Sequence, residues 1–158
     1  MSLQRLDLQV SAIVISALAA AFAGCTTSPQ TRAAPNSIVG VWVVQDPNAP
    51  FPLHMYTFNG DGTMQQANPD AGDSRSSDSD GKGIWIAEGI EIKGKWVEIT
   101  ADRTSHLLTG RTEVSFRFTV TGDQFSGTES VNFYDERGNL TSTLEGNSRM
   151  VGTRVKLP

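Results

Sequence analysis

The chain has 158 residues, a single cysteine, and 17 acidic against 13 basic side chains, for a formal net charge of −4. That length suits one domain of ordinary size, and one cysteine excludes a disulfide within the chain. The mild acidity argues against a nucleic-acid partner, whose phosphates demand a basic surface. In chain order, the first feature is an apolar run over 10–24 (VSAIVISALAAAFAG), preceded by Arg5 and Asp7 and closed by Gly24, Cys25 and Thr26. The run is shorter than the roughly twenty residues a transmembrane helix needs.

A charged front, a short apolar stretch and small residues before a lone cysteine resemble a bacterial lipoprotein signal peptide. The resemblance implies that residues 1–25 are a leader ending at Cys25, the lipidated first residue of the mature protein. Phe22 stands where such signals most often carry leucine, and plain secretion with cleavage near the Ala-rich stretch is the other reading. Both put the product in the cell envelope or beyond it: held to a membrane on the periplasmic side through Cys25, or secreted. Loss of the leader removes Arg5 and Asp7, one charge of each sign, so the net charge is unchanged. Residues 26–37 (TTSPQTRAAPNS) lack apolar content and read as a flexible tether. The folded domain is expected over 38–158.

Within that domain no stretch has helical periodicity. Short runs rich in Val, Ile, Thr and aromatics recur between Gly, Asp and Asn, which points to an all-β domain. Eight strands are expected, over 38–46, 53–59, 63–68, 83–87, 95–101, 108–121, 124–134 and 140–155. Asn59-Gly60-Asp61-Gly62, Thr121-Gly122-Asp123 and Asp135 to Asn139 are the turns, and each joins sequence neighbours, as in a meander. In the sixth strand Leu108, Gly110, Thr112, Val114, Phe116, Phe118 and Val120 share one face, and Arg111, Glu113, Ser115 and Arg117 the other. Such a split means one buried and one wet face. A long strand of this kind suits a closed antiparallel up-and-down barrel, which removes exposed edges. The loop over 69–82 (PDAGDSRSSDSDGK) has no apolar residue larger than Ala71 and reads as a solvated, mobile excursion.

Gly40-Val41-Trp42 opens the first strand and Gly152-Thr153-Arg154 closes the last. The pair resembles the Gly-x-Trp and terminal Arg of lipocalins and other calycins, in which the Arg covers the Trp ring and shuts one end of the barrel. A guanidinium over an indole is favourable in its own right. Asp61-Gly62-Thr63 and Gly83-Ile84-Trp85 are similar to motifs of small bacterial lipocalin-like proteins. The chain is shorter than secreted lipocalins and shows no C-terminal helix, so barrels resembling allene oxide cyclase stay open too.

The inward faces then supply candidate ligand contacts: His54, Tyr56 and Phe58 on the second strand, Trp85 on the fourth, Phe116 and Phe118 on the sixth, and Glu129, Val131 and Phe133 on the seventh. Glu129 in an apolar lumen needs a partner, with His54, Tyr56 and Arg149 as candidates, unless a bulge near Gly127 turns it outward. His54 is either a lumen contact or a hydrated rim residue. Three functions follow. The first is a carrier holding a small hydrophobic molecule in the lumen. The second is a cofactor-free cyclase or isomerase with Glu129 as acid–base group. The third is a filled barrel acting as an envelope interaction module. The only histidines, His54 and His106, stand apart, and Asp78-Ser79-Asp80-Gly81 is only a fragment of a calcium loop, so no metal and no cofactor is expected.

Overall fold

The computed structural model describes residues 37–158 except 48, 50, 71, 72, 147 and 148. Cys25, the apolar run and nearly all of the tether lie outside the described residues. Ten strands and no helix are present among those described: β1 Gly40–Gln45, β2 Leu53–Phe58, β3 Thr63–Ala67, β4 Ser76–Asp78, β5 Gly81–Glu88, β6 Glu91–Asp102, β7 Leu108–Thr121, β8 Gln124–Asp135, β9 Leu140–Leu144 and β10 Met150–Arg154. All ladders are antiparallel. The order β10-β1-β2-β3-β5-β6-β7-β8 returns on itself because β10 also pairs with β8. β4 extends β5 along the edge of β6, and β9 precedes β10 along the edge of β8. The result is a closed eight-stranded up-and-down barrel, consistent with a calycin-like fold.

The turns form where Asn, Asp and Gly relieve backbone strain. Gly62 adopts φ +85°, and the Asp61 carboxylate accepts from the Thr63 amide at 2.9 Å and its hydroxyl at 2.6 Å. Asp135 caps its turn in the same way, accepting from the amides of Arg137 and Asn139. Alternation in β7 holds as the sequence implies: Thr112, Val114, Phe116, Phe118 and Val120 are buried, while Arg117, Thr119 and Thr121 are exposed. Leu108 departs from it and is exposed, because the β6–β7 register shifts between Thr100 and Ala101 where the strands leave the barrel.

Most described residues of the 69–82 segment are exposed, as the sequence implies, but it contains a short strand that the sequence reading lacks, with Ser76–Asp78 laddered to β6. Arg103 Nη2 lies 2.6 Å from Asp70 Oδ1, and Arg103 Nε donates to the Asp73 carbonyl at 3.0 Å. Ser77 Oγ donates to Asp70 at 2.8 Å.

The core is not spread evenly through the lumen. Trp42, Tyr56, Phe58, Phe116, Phe118 and Phe125 are all buried and touch ring to ring. Phe118 stacks on Phe116 and on Phe125 at 4.6 and 4.4 Å, and Trp42 tilts against Phe125 at 5.1 Å. These rings fill the half of the barrel near the β2–β3 turn. That end is sealed by Arg154, whose guanidinium lies 4.1 Å from the Trp42 ring centroid. Arg154 also donates to the carbonyls of Val39 and Ser37 and pairs with Asp123 at 3.3 Å. Gly40, with φ +137°, leaves room for it: a Cβ there would fall 2.8 Å from the guanidinium.

Candidate functional site

The other half of the lumen is open. A cavity of about 680 Å³ lies at the end where β1, β3, β6 and β8 finish and β2, β7 and β9 begin. Its apolar wall includes Phe51, Trp96, Val114, Val131, Phe133 and Leu144. The same period-2 alternation that sends aromatics inward in the sealed half sends Asp46, Glu98, Thr112 and Glu129 inward here.

Glu129 stands opposite Phe116, and the β7–β8 register is continuous from Gly110↔Asp135 to Thr121↔Gln124. No bulge interrupts β8 near Gly127, so Glu129 faces the lumen. Burial first, then the charge and hydrogen bond of Asp46, push its carboxyl up to about 8, with the hydrogen bond from Tyr56 working the other way. At neutral pH Glu129 therefore holds the proton shared with Asp46, itself buried at the end of β1. Glu129 Oε2 is buried without a hydrogen-bond partner among the described residues. Tyr56 is wholly buried, and burial followed by the Glu129 charge raises its hydroxyl well above the ordinary value, so it remains a neutral donor.

Trp96 forms the wall next to Tyr56, edge-on with ring centroids 6.5 Å apart. It is 5% exposed, and its Nε1, though close to the Tyr56 hydroxyl, makes no well-formed hydrogen bond among the described residues. Its indole lies across Gly81, where a Cβ would fall 2.5 Å from the ring. Next to Trp96 on the same face of β6, Glu98 is pushed up to about 7, by burial first and then by the Asp78 charge, against a hydrogen bond from Thr112. Asp78 is itself raised, by burial and then by Asp70.

The candidates named from the sequence divide between the two halves. His54, Glu129, Val131 and Phe133 line the cavity. Tyr56, Phe58, Phe116 and Phe118 belong to the packed half. Tyr56 meets the site only through its hydroxyl, which reaches Glu129. Trp85 sits at the sealed end: its Nε1 donates to the carbonyls of Asn59 and Thr63 at 3.1 Å, and its ring meets Phe58 edge-on. Trp42 and Arg154 are stacked as the resemblance implies.

His54 is not the partner of Glu129. Its Nε2 donates to the Phe51 carbonyl at 2.7 Å and its Nδ1 accepts from Gln66 at 3.2 Å, which fixes the tautomer. Arg149 is exposed. The sequence reading does not name Asp46, Trp96 or Glu98, and it takes Asp78 only as part of a calcium-loop fragment. Alternation carries a signal for the first three: Trp42, Val44 and Asp46 share one face of β1, and Trp96 and Glu98 share one face of β6. Comparison of the chain with protein-family models, curated proteins and solved structures finds no match.

Proposed function

We propose that the barrel binds a small, largely apolar molecule in the open half of its lumen, and that it does so outside the cytoplasm as a lipocalin-like protein tethered through Cys25. The observation that carries the binding reading is the cavity of about 680 Å³ with two buried polar atoms, Trp96 Nε1 and Glu129 Oε2, that make no well-formed hydrogen bond among the described residues. Cavities of this size are typical of small-molecule sites, which pair apolar walls with a few polar groups. An unpartnered buried donor costs about 1–3 kcal/mol, and a ligand that supplies the missing bond recovers it. The same cavity weighs against a filled barrel.

Native mass spectrometry of protein purified from its own host tests this directly, together with titration of a neutral apolar dye read through Trp96 fluorescence. A co-purifying small molecule, or saturable dye binding, is expected. A bare protein that binds no apolar probe refutes the reading. The tether is tested by palmitate labelling and membrane fractionation, which Cys25→Ser should abolish.

A second reading is favoured by one observation: a carboxyl pushed up to about 8 and hydrogen-bonded to a neutral tyrosine can act as a general acid near neutral pH. A cofactor-free isomerase or cyclase would use Glu129 in that role. Once a substrate is found, Glu129→Gln should stop turnover and preserve binding.

A further inference from the structure

We propose that the occupant of the cavity is an organic cation: a small amphipathic amine whose protonated nitrogen lies among the carboxylates of the cavity wall and whose apolar body lies against Val131 and Phe133. This rests on the ligand-binding reading and adds the charge of the ligand to it.

Seven carboxylate side chains line the cavity against one cationic side chain, Arg111. Arg111 is already committed. Its Nε lies 3.0 Å from Glu113 Oε1, and its guanidinium covers the Tyr134 ring at 4.0 Å. Some of the acids are committed too. Asp70 and Asp73 are met by Arg103 and Arg75, and Glu129 shares its proton with Asp46. Glu145 is exposed, which leaves Asp78 and Glu98, half-buried on adjoining stretches of wall and each raised by burial and by a neighbouring acid. Among the described residues no cation lies within ion-pair distance of either, and the Arg103 guanidinium, which pairs with Asp70, offsets the Asp78 charge only in part. Like charges held close in a partly dry site are unfavourable, and a cation placed between them reverses the sign of that interaction.

A metal ion does not fit this arrangement. Among the described residues no three His, Cys, Asp or Glu side chains converge closely enough to hold one. An ammonium group on an organic frame needs no such convergence, and the rings of Phe51, Phe133 and Trp96 offer faces that attract cations. Trp96 gives a second, independent indication of a ligand. It is 5% exposed, it lines the cavity, and its N–H, though close to the buried Tyr56 hydroxyl, makes no well-formed hydrogen bond among the described residues. A hydroxyl, ether or carbonyl oxygen on the same molecule would satisfy it.

Calorimetry of the purified protein with three probes of one shape tests the proposal: 1-naphthylmethylamine, 1-naphthylmethanol and 1-naphthoate. The amine should bind about tenfold or more tighter than the alcohol, and the carboxylate should not bind detectably. In an Asp78→Asn, Glu98→Gln double variant the amine should fall to the affinity of the alcohol. A circular-dichroism spectrum like that of the wild type and a urea midpoint at least as high show that the variant is folded. If the alcohol or the carboxylate binds as well as the amine, or the double variant keeps the amine preference, the cation proposal is overturned and the ligand-binding reading stands. If none of the three binds and nothing co-purifies with the protein, both are overturned.

Discussion

Glu129→Gln should uncouple the barrel's stability from pH across the range in which the folded and unfolded chains disagree about one proton. Burial and Asp46 move the Glu129 carboxyl from its ordinary 4.5 up to about 8. The folded protein therefore keeps this proton where the unfolded chain has lost it, and stability falls wherever the folded state holds more protons. The favourable contribution is complete below pH 4.5 and is lost as pH rises toward 8. The interval is 8 − 4.5 = 3.5 pH units. At about 1.4 kcal/mol each, the loss is on the order of 5 kcal/mol, an upper bound because water reaches the open cavity. Glutamine has the shape of the protonated acid and can still donate to Asp46, so the variant should escape this loss. Urea unfolding of both proteins at about pH 5, 6.5 and 8 provides the measurement. Glu98 and the surface carboxylates titrate in both, so the difference between the curves isolates position 129. Wild type should lose several kcal/mol relative to the variant from the lowest to the highest pH. Parallel curves, or a wild type that gains on the variant as pH rises, refute the placement of Glu129 in a dry lumen.

Substitutions at three other positions probe the two halves separately. Arg154→Ala removes the cover over Trp42 and three polar contacts, and should cost about 2–4 kcal/mol in urea unfolding. Arg154→Lys should recover only part of that, because an ammonium cannot both stack on the ring and reach two carbonyls. Gly81→Ala puts a methyl group 2.5 Å from the Trp96 ring; it should cost about 1–3 kcal/mol and shift Trp96 fluorescence by turning the indole into the cavity. Trp96→Phe keeps the aromatic wall but deletes the unpartnered N–H. The empty protein should be unchanged or gain up to about 1 kcal/mol in thermal or urea unfolding, while the affinity of a ligand carrying an acceptor falls.

The fold was largely legible because barrel strands advertise themselves. From Gly110 onward the long β7 alternates without a break, the Asn, Asp and Gly turns mark its neighbours, and a glycine-linked Trp and terminal Arg mark where the ring closes. What stayed illegible was the division of the lumen. Alternation tells which residues point inward but not whether the space they enter is full, so Phe116 and Phe118 read as cavity wall when they are packing. That depends on how rings from five strands meet, and no single strand records it. The strand breaks were hidden for a related reason. The last strand, read as continuous over 140–155, is β9 and β10 with an interruption, because β8 offers one edge that two short segments share. The short strand within the acidic loop was hidden because the anchor of that loop, Arg103, lies more than twenty residues further on and holds it by hydrogen bonds instead of burial.

A barrel built only for stability would not place Glu98 where it stands. Burial and the nearby Asp78 raise its carboxyl from 4.5 to about 7, so at pH 8 the empty protein carries it ionised at a cost. The interval is 7 − 4.5 = 2.5 pH units. That corresponds to about 3 kcal/mol at most. The ring-to-ring packing of the sealed half is what allows the open half to tolerate it. Proteins usually retain such a cost where it serves a site, and its removal then stabilises the fold and impairs function. Glu98→Gln should accordingly raise the unfolding free energy at about pH 8 by up to that amount and leave it nearly unchanged at about pH 4.5. The opposite result, a loss of stability at both pH values, would mean that Glu98 matters through its hydrogen bond with Thr112 as a strut of the wall. A charge kept against the interest of the fold is better explained by a cation that arrives from outside than by anything the empty barrel contains.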